Sequence, residues 1–360
     1  MKKKIMFFTP SLNIGGIERV FITYANELCN NYDVTYVCTH YKGELKSLLK
    51  SDVNFHSLEK NRLRQSFFAL VNYLKTETPD ILITGGNIPN CICLFAIVFS
   101  RKNIKLIMSH HNYFNIEQNN LSSKIIIKMF YNKADAIISV SNGITHLLSN
   151  LGIKKDKIHT IYNPINIDDI IQKSQFSVIP QFNFKNNYIV SVGRLNKVKN
   201  IILMIDAFYL FHKYYNNTKL IIIGEGEEKE NIKKHIKYKK MESHIILAGG
   251  TDNPYPYIYH SKLVLSTSLS EALPTVFLES FALGKTIVST PTFGAIELLK
   301  NERNGYISNS LTTPQPFVDK MIKAYNNPIA CNILKKEASI YSIENKIKEL
   351  ESLFNHIFTI

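Results

Sequence analysis

Short runs of apolar, often β-branched residues alternate along the chain with longer segments in which apolar positions recur every three or four residues. Segments such as 17–29 and 311–326 have this helical spacing. Continuous apolar strands separated by helices predict parallel sheets that are covered by helices on both faces, an α/β fold. The predicted strands are residues 4–9, 33–39, 80–84, 105–110, 136–141, 157–162, 188–193, 219–224, 244–249, 263–268 and 286–290.

The alternation of strands and helices occurs twice, on either side of a polar segment at residues 162–187. This segment contains Pro164 and Pro180 and is interpreted as a linker. A chain of 360 residues also exceeds the ~250 at which single domains stop growing. We therefore expect two Rossmann-like, doubly wound domains that face each other across a cleft where a ligand binds, followed by an amphipathic final helix. The expected bounds are 1–165, 182–340 and 342–360.

Several classes of protein are disfavoured by the sequence. The basic start is followed by too few apolar residues before Pro10 for a signal peptide. The most apolar stretch, residues 91–99, is about half of the ~20 residues that a membrane span needs. Five cysteines without a C-x-x-C pair favour a reducing compartment over a disulfide framework or a cysteine zinc site. We expect a cytoplasmic protein.

The charge is strongly basic, with 43 Lys and Arg against 29 Asp and Glu. Such a balance suits nucleic acid, an anionic membrane surface or phosphorylated small molecules, although compositional drift in a chain rich in Lys, Asn and Ile explains the excess equally well. Residues 1–165 hold 20 Lys and Arg against 11 Asp and Glu, so the first half is the more basic. No block of like charges is interleaved with aromatic residues, and nucleic acid is not an expected partner.

Two turns that follow strands carry candidate chemistry. Gly15 and Gly16 lie between the first strand and a helix, where backbone N–H groups and the helix dipole favour a phosphate. Arg194 and Lys199 follow the first strand of the second half, where two cations can clamp a diphosphate. A tight turn that needs glycine for steric reasons is the favoured alternative for the first segment, and a solvated charged turn explains the second equally well.

A third segment contains two carboxylates eight positions apart. Glu271 falls in the loop after a strand, and Glu279 lies about one turn into a helix that Pro274 can begin. The backbone N–H groups of residues 273–277 would then face an anion or sugar hydroxyls. A carboxylate in the following helix suits the two hydroxyls of a ribose, whereas two ordinary surface glutamates are the usual explanation of such a pair.

In this order and spacing, the segments resemble the retaining glycosyltransferases of family 4, which have the two-domain GT-B fold. The similarity covers nearly the whole chain. Each motif is weak by itself, and the combination is specific. Ala272 stands where the family more often has glycine, a change that either narrows the choice of donor or has no effect. The four motifs are GG-x-E at 15–18, S-x-G-R-L-x-x-x-K-N at 191–200, GEGEE at 224–228 and E-A-L-P-T-V-F-L-E-S at 271–280.

The resemblance implies a role for each segment. In such enzymes the residue that matches Glu279 binds the nucleotide ribose, and those that match Arg194 and Lys199 hold the diphosphate of a sugar nucleotide. Glu271 matches a position beside the transferred sugar. The final helix resembles one that crosses back onto the N-terminal domain. The other implied donor-binding positions are Gly15, Gly16, Gly193, Gly249, Ala272, Leu273, Pro274, Thr275 and Val276.

The implied reaction moves a sugar, with retention, from a nucleotide diphosphate sugar, UDP-sugar being favoured, to a saccharide acceptor. His111, with His110 as the alternative, matches a histidine near the reacting sugar and completes a catalytic set with Arg194, Lys199 and Glu271. Because the sequence contains no Asp-x-Asp, these two cations would neutralise the departing diphosphate. We therefore expect a nucleotide-sugar donor, with no cofactor and no metal.

The expected acceptor is a polyprenyl-diphosphate-linked saccharide or a growing surface polysaccharide. Residues 122–133 place lysines beside apolar residues and would suit the inner face of the cytoplasmic membrane, which makes peripheral membrane contact an alternative to a purely cytoplasmic location. A core-facing helix with extended lysines is the slightly favoured explanation. Two other functions stay open: a sugar-nucleotide epimerase of the same fold, and a non-catalytic protein that binds a sugar nucleotide or polysaccharide.

Overall fold

A computed structural model describes residues 2–13, 16–40, 43–111, 121–176 and 187–359. The chain divides into two compact units. The first comprises Met1–Pro164 and Ile343–Ile360, and the second comprises Ile165–Ser342. The last helix is thus part of the first unit. Gly15, predicted from its turn to approach a phosphate, lies outside the described residues.

A seven-stranded parallel sheet with the order β3-β2-β1-β4-β5-β6-β7 forms the centre of the first unit. Its strands are β1 Lys4–Thr9, β2 Asp33–Cys38, β3 Asn54–Ser57, β4 Ile81–Gly85, β5 Lys105–His110, β6 Ala136–Ser139 and β7 Ile158–Thr160. The described α-helices around it are α1 Gly16–Leu28, α2 Phe67–Glu77, α3 Asn87–Ser100, α4 Leu121–Phe130, α5 Asn142–Asn150 and, at the end of the chain, α14 Ile343–Thr359.

The second unit is built on a six-stranded parallel sheet with the order β10-β9-β8-β11-β12-β13. Its strands are β8 Tyr188–Val192, β9 Lys219–Ile223, β10 Ile245–Gly249, β11 Val264–Ser266, β12 Ile287–Ser289 and β13 Tyr306–Ile307. Its described α-helices are α6 Ile167–Ser174, α7 Ile201–His212, α8 Lys229–Tyr238, α9 Tyr255–His260, α10 Thr275–Ala282, α11 Phe293–Leu298, α12 Pro314–Asn326 and α13 Cys331–Ser339.

The predicted fold class is confirmed, and each of the eleven predicted strands is present. Strands β3 and β13 were not predicted because they are short and lie at the edges of their sheets. The predicted linker at 162–187 is wrong in part, since helix α6 lies within it. The Asn166 side chain accepts a hydrogen bond of 2.9 Å from the Asp169 N–H and caps this helix, and Ile170 is buried. A local cap and one apolar face therefore form a helix inside a polar segment.

Each unit has its own apolar core. In the first unit, Phe7 of β1 and Phe21 of α1 pack with ring centroids 5.4 Å apart. Leu350 and Phe354 of α14 are buried in the same core, so the final helix covers part of the first sheet. In the second unit, α7 and α12 bury aromatic side chains against β8, β9 and β12, among them Phe208, Phe211 and Phe317.

Three strand-end loops of the second unit are joined backbone to backbone. The Gly193 N–H donates to the Ile223 carbonyl at 2.9 Å, and the Gly224 N–H donates to the Gly249 carbonyl at 2.8 Å. The Gly224 φ is +148°, and a Cβ at this position would lie 1.9 Å from the Gly193 oxygen. Glycine is required here, because any side chain would push the loops after β8 and β9 apart.

We expect Gly224→Ala to destabilise the chain by more than about 2 kcal/mol, because the new methyl group meets backbone rather than a movable side chain. Urea unfolding of the whole chain measures the change. Gly16→Ala is the matched control for stability, since a Cβ at Gly16 meets no atom of the described residues within 4 Å. Equal midpoints for the two variants would contradict this account of the loop.

Candidate active site

Lys199 is held in place by the turn that follows β8. The turn Lys197–Lys199 is a single 3₁₀ segment, and the Asn196 side chain caps it by accepting a hydrogen bond of 3.1 Å from the Lys199 N–H. The lysine side chain runs past Gly193, where a Cβ would lie 3.3 Å from Lys199 Cε. The glycine therefore leaves space for the ammonium group at the carboxyl end of the strand.

The ammonium group of Lys199 forms an ion pair with Glu271, which comes from the loop after β11. Ser268 Oγ donates a second hydrogen bond of 2.7 Å to the same carboxylate oxygen. The two charged side chains are 27% and 16% exposed, so the pair lies at the surface of the unit but is largely shielded. This contact brings together two of the predicted catalytic residues from segments seventy-two positions apart in the chain.

The peptide that carries Glu271 is fixed by its neighbours. The Gly294 N–H donates to the Glu271 carbonyl at 2.9 Å. A Cβ at Gly294 would lie 2.8 Å from the Ala272 oxygen, so glycine permits this close approach. On the other side, Thr290 Oγ1 donates to the Ser268 carbonyl at 2.6 Å. The loop is thus tied to the ends of two neighbouring segments and presents the carboxylate in one orientation.

Helix α10 begins at Thr275, directly after Pro274, as predicted. Glu279 is half-buried and lies about one turn into the helix. The backbone N–H groups of residues 273–277 were predicted to face a ligand. This prediction is wrong at Phe277, because its N–H donates to the Pro274 carbonyl at 3.0 Å. Leu273 and Pro274 are buried, whereas Ala272, Thr275 and Val276 are at least partly accessible.

The remaining predicted residues of this unit lie at the same strand ends. Arg194 is exposed in the loop after β8 and makes no ion pair within the part of the chain that the structure describes. Gly249 accepts the Gly224 hydrogen bond and has φ +80°, a conformation that favours glycine. Glu225 lies beside it and pairs with Lys229 at 2.9 Å. The loops after β8, β9 and β10 therefore form one polar edge.

The two candidate histidines, His110 and His111, have different environments. His110 is buried at the end of β5, and its Nδ1 lies 3.1 Å from the Tyr131 hydroxyl within a network of buried side chains. His111 follows at the end of the strand, where its Nε2 lies 2.8 Å from Ser109 Oγ. It lines a narrow cavity together with Phe21 and Asn163. His111 therefore borders this cavity, whereas His110 is enclosed among its buried hydrogen-bond partners.

Three supporting residues were missed by sequence reasoning. Ser268 stands three positions before Glu271, and Asn196 stands three positions before Lys199. This spacing is typical of side chains that bind a backbone or side-chain group one turn later, and it was the available signal for both. Ser109 had no such signal, since only the fold shows that residues two apart on a strand end bring their polar atoms together.

Two family models together match most of the chain. The model described as Glycosyltransferase Family 4 matches residues 14–169, and the model described as Glycosyl transferases group 1 matches residues 172–340. The chain belongs to family 4 of the glycosyltransferases. It is an enzyme of that class, and the predicted family is confirmed.

Relatives and solved structures agree with this assignment. The glycosyltransferase is 29% identical to the Campylobacter jejuni N-acetylgalactosamine-N,N'-diacetylbacillosaminyl-diphospho-undecaprenol 4-alpha-N-acetylgalactosaminyltransferase, over 90% of this chain and 93% of that one. It is 28% identical to a second Campylobacter jejuni enzyme, an alpha-1,4-N-acetyl-D-galactosaminyltransferase acting on a saccharide linked to diphospho-undecaprenol, over 84% of each chain. Its fold matches that of Anabaena HepE, solved with UDP and glucose, with a TM-score of 0.82, 18% identity and coverage of 98% and 100% of the two chains.

Two further properties concern the described residues of the glycosyltransferase alone. No helix among them combines the length and hydrophobicity that crossing a bilayer requires. Within the same ranges, no three His, Cys, Asp or Glu side chains group in a way that would hold a metal ion.

The pH dependence of stability tests the environment of His111. Burial and the neighbouring His110 lower the pKa of His111 to about 3. An unfolded histidine has a pKa of about 6.5, so the unfolded chain takes up a proton that the folded chain excludes. The contribution of neutral His111 to the free energy of unfolding is therefore complete above about pH 6.5 and is lost as the pH falls toward 3.

We expect the melting temperature of the wild type to fall more steeply between neutral and mildly acidic pH than that of His111→Gln, which cannot titrate here. His146→Gln, at an exposed position of α5, is the control and keeps the wild-type slope. A histidine NMR titration assigns the pKa directly. Parallel slopes for the wild type and His111→Gln would show that this imidazole is accessible to solvent.

Proposed function

We propose that the chain transfers a sugar from a UDP-sugar, with retention at the anomeric carbon, to a saccharide carried on a polyprenyl diphosphate. The observation that carries the proposal is the contact of Lys199 with Glu271 at the carboxyl ends of parallel strands. A cation for the diphosphate and a carboxylate for sugar hydroxyls are needed side by side, because the bond that breaks joins these two parts of the donor.

The second unit is proposed to bind the donor. Arg194 and Lys199 would hold the diphosphate, and Glu279 would accept hydrogen bonds from the ribose hydroxyls. Glu271 would bind the transferred sugar next to the beginning of α10. The accessible Arg194 suits this role, because an exposed guanidinium without an ion pair among the described residues can close on an anion at little cost.

The reaction then needs no protein nucleophile. The acceptor hydroxyl forms the new bond to the anomeric carbon while the bond to the diphosphate oxygen breaks, and the acceptor proton passes to that departing oxygen. Arg194 and Lys199 stabilise the charge that develops on the diphosphate. His111, neutral because its pKa is lowered to about 3, is proposed to donate or accept a hydrogen bond beside the sugar without adding charge to the site.

The proposed donor and acceptor follow the named relatives. Two of them act on saccharides linked to diphospho-undecaprenol, and the structural neighbour HepE was solved with UDP. An acceptor of this kind places the enzyme at the inner face of the cytoplasmic membrane, where it would be peripherally bound.

Ligand-induced stabilisation tests the donor site. UDP at about 100 times its dissociation constant should add ~2.7 kcal/mol of stability, which is visible as a raised melting temperature. We expect UDP to act more strongly than GDP, ADP or TDP, and the shift to vanish in Lys199→Ala and Glu279→Ala. Lys323→Ala is the matched control, since Lys323 also pairs with a glutamate of the second unit, Glu302, at 2.7 Å.

Each shift is measured from the ligand-free melting temperature of the same variant, so that loss of the ion pair itself is not mistaken for loss of binding. Stabilisation by no nucleotide would overturn the proposed donor site. A shift that survives in both Lys199→Ala and Glu279→Ala would place the nucleotide elsewhere on the chain.

An assay of sugar transfer to a lipid-linked or short-chain acceptor distinguishes the proposed role of Glu271 from binding of the nucleotide. We expect Glu271→Gln to keep the UDP stabilisation but to lose about 10²-fold or more in rate, the usual cost of removing one charged group that acts on the transition state. Glu302→Gln is the control and should retain the wild-type rate. Chromatography of products measures the sugar transferred and the UDP released.

The same assay distinguishes the alternatives. Sugar conversion without release of nucleotide would identify an epimerase. Nucleotide binding without transfer, and without slow donor hydrolysis when acceptor is absent, would identify a protein that only binds. Either result would contradict the proposed transfer.

A further inference from the structure

Three adjoining helices of the first unit present an exposed apolar surface. Helix α2 packs beside α3, and α3 packs beside α4. Phe68 is 73% exposed, Val98 62%, Phe99 59% and Met129 57%. We name this surface the three-helix patch, and its members are Phe68, Phe95, Val98, Phe99, Ile125 and Met129.

The patch is held together by aromatic contacts. The ring of Phe67 lies 5.1 Å from that of Phe68 and 5.6 Å from that of Phe99, which joins α2 to α3. The ring of Phe95 lies 5.3 Å from that of Phe130, which joins α3 to α4. The exposed side chains therefore belong to one continuous surface, whereas scattered exposed apolar residues would need no explanation.

Helix α3 is unusual because it contains no charged residue. A helix that is apolar all round is ordinarily buried on all sides. Residues 122–133 were also interpreted as a helix packed against the core. This interpretation accounts for Ile127 of α4, which is fully buried, but not for Ile125 and Met129, which are exposed. These faces are apolar without being covered by the residues of the first unit that the structure describes.

The charge around the patch is strongly positive. Residues 60–134 hold ten Lys and Arg against three Asp and Glu. Three of these cations precede α2, two directly follow α3, and one stands beside Met129 in α4. The exposed cations of this segment that make no ion pair among the described residues are Lys60, Arg62, Arg64, Lys75, Arg101, Lys102, Lys128 and Lys133.

This combination of apolar side chains and cations matches an anionic lipid surface. Phenylalanine side chains insert below the headgroups, while lysine and arginine remain at the level of the phosphates. A second copy of the chain is a poorer match, because pairing two such patches would bring two sets of unpaired cations together. The charge therefore selects one occupant.

We propose that the three-helix patch docks this glycosyltransferase on the surface of a membrane that contains anionic phospholipids. The inference deepens the proposed function and rests on it, since a polyprenyl-linked acceptor is confined to such a surface. The helices lie in the interface without crossing it, so binding is reversible and depends on both the inserted rings and the surrounding charge.

Flotation of the purified chain with lipid vesicles tests the proposal. The vesicles are phosphatidylcholine alone, or phosphatidylcholine with one third phosphatidylglycerol. We expect binding to the anionic vesicles to be at least about tenfold stronger than to the neutral ones, and to weaken as salt is added. The paired substitutions Phe68→Ser with Phe99→Ser, and Arg101→Gln with Lys102→Gln, should each weaken binding about tenfold or more.

The matched control is Tyr238→Ser with Lys237→Gln, at the end of α8 in the second unit, where Tyr238 is exposed beside lysines. It should bind as the wild type does. Melting temperatures confirm that every variant is folded. Absence of wild-type binding to anionic vesicles, or equal binding by the patch variants, would overturn the proposal. Sedimentation velocity identifies the competing occupant: a wild-type dimer that the phenylalanine substitutions dissociate would also overturn it.

Transfer to a short-chain, water-soluble acceptor makes the two proposals separable. The patch variants should transfer sugar to this acceptor at the wild-type rate and lose rate only on a polyprenyl acceptor in vesicles. A wild type that binds vesicles but transfers nothing would contradict the proposed function and leave the docking surface intact. A wild type that transfers sugar but does not bind vesicles would contradict the docking surface alone.

Discussion

Both sheets are parallel and carry apolar residues on both faces, and this constraint decides where chemistry can take place. Such strands are buried by helices on either side, so their side chains serve the core. Polar groups that must meet a ligand are left to the loops beyond the carboxyl ends of the strands. Lys199, Glu271 and His111 all lie in such positions, each within a few residues of the end of a strand. The fold therefore brings charged residues from distant parts of the sequence together at the carboxyl edge of the second sheet.

The ion pair between Lys199 and Glu271 shows what that edge provides. Without a ligand, each charge compensates the other, and Ser268 orients the carboxylate. Because the pair is only partly exposed, separating the charges would leave two poorly solvated groups. In the proposed function, this contact keeps the two side chains in place for a donor that carries both a phosphate and a sugar.

The sequence predicts strands correctly where the local pattern of apolar residues matches the burial that the fold imposes. Most of the eleven predicted strands are runs in which nearly every position is buried, and such runs are distinctive. The exceptions are β7 and β10, in which only the first residue is buried. Strand β13, with two residues, has no pattern of its own and exists because β12 offers a free edge. The site was predictable in its charged members, since Lys199 and Glu271 stand in recognisable motifs. Their contact was not predictable, because it depends on strand order and on close backbone approaches at Gly224 and Gly294.

The apolar pattern of helix α3 does not predict which of its side chains are exposed. Its residues would suit a fully buried helix, and pattern alone cannot distinguish burial in a core from burial against something outside the chain. The structure separates the two, because Ala96 is buried while Val98 and Phe99, on the same helix, are largely exposed. Apolar area left in water lowers solubility and favours aggregation, and a ring of unpaired cations opposes self-association while attracting an anionic surface. The proposed docking on an anionic lipid surface accounts for both features.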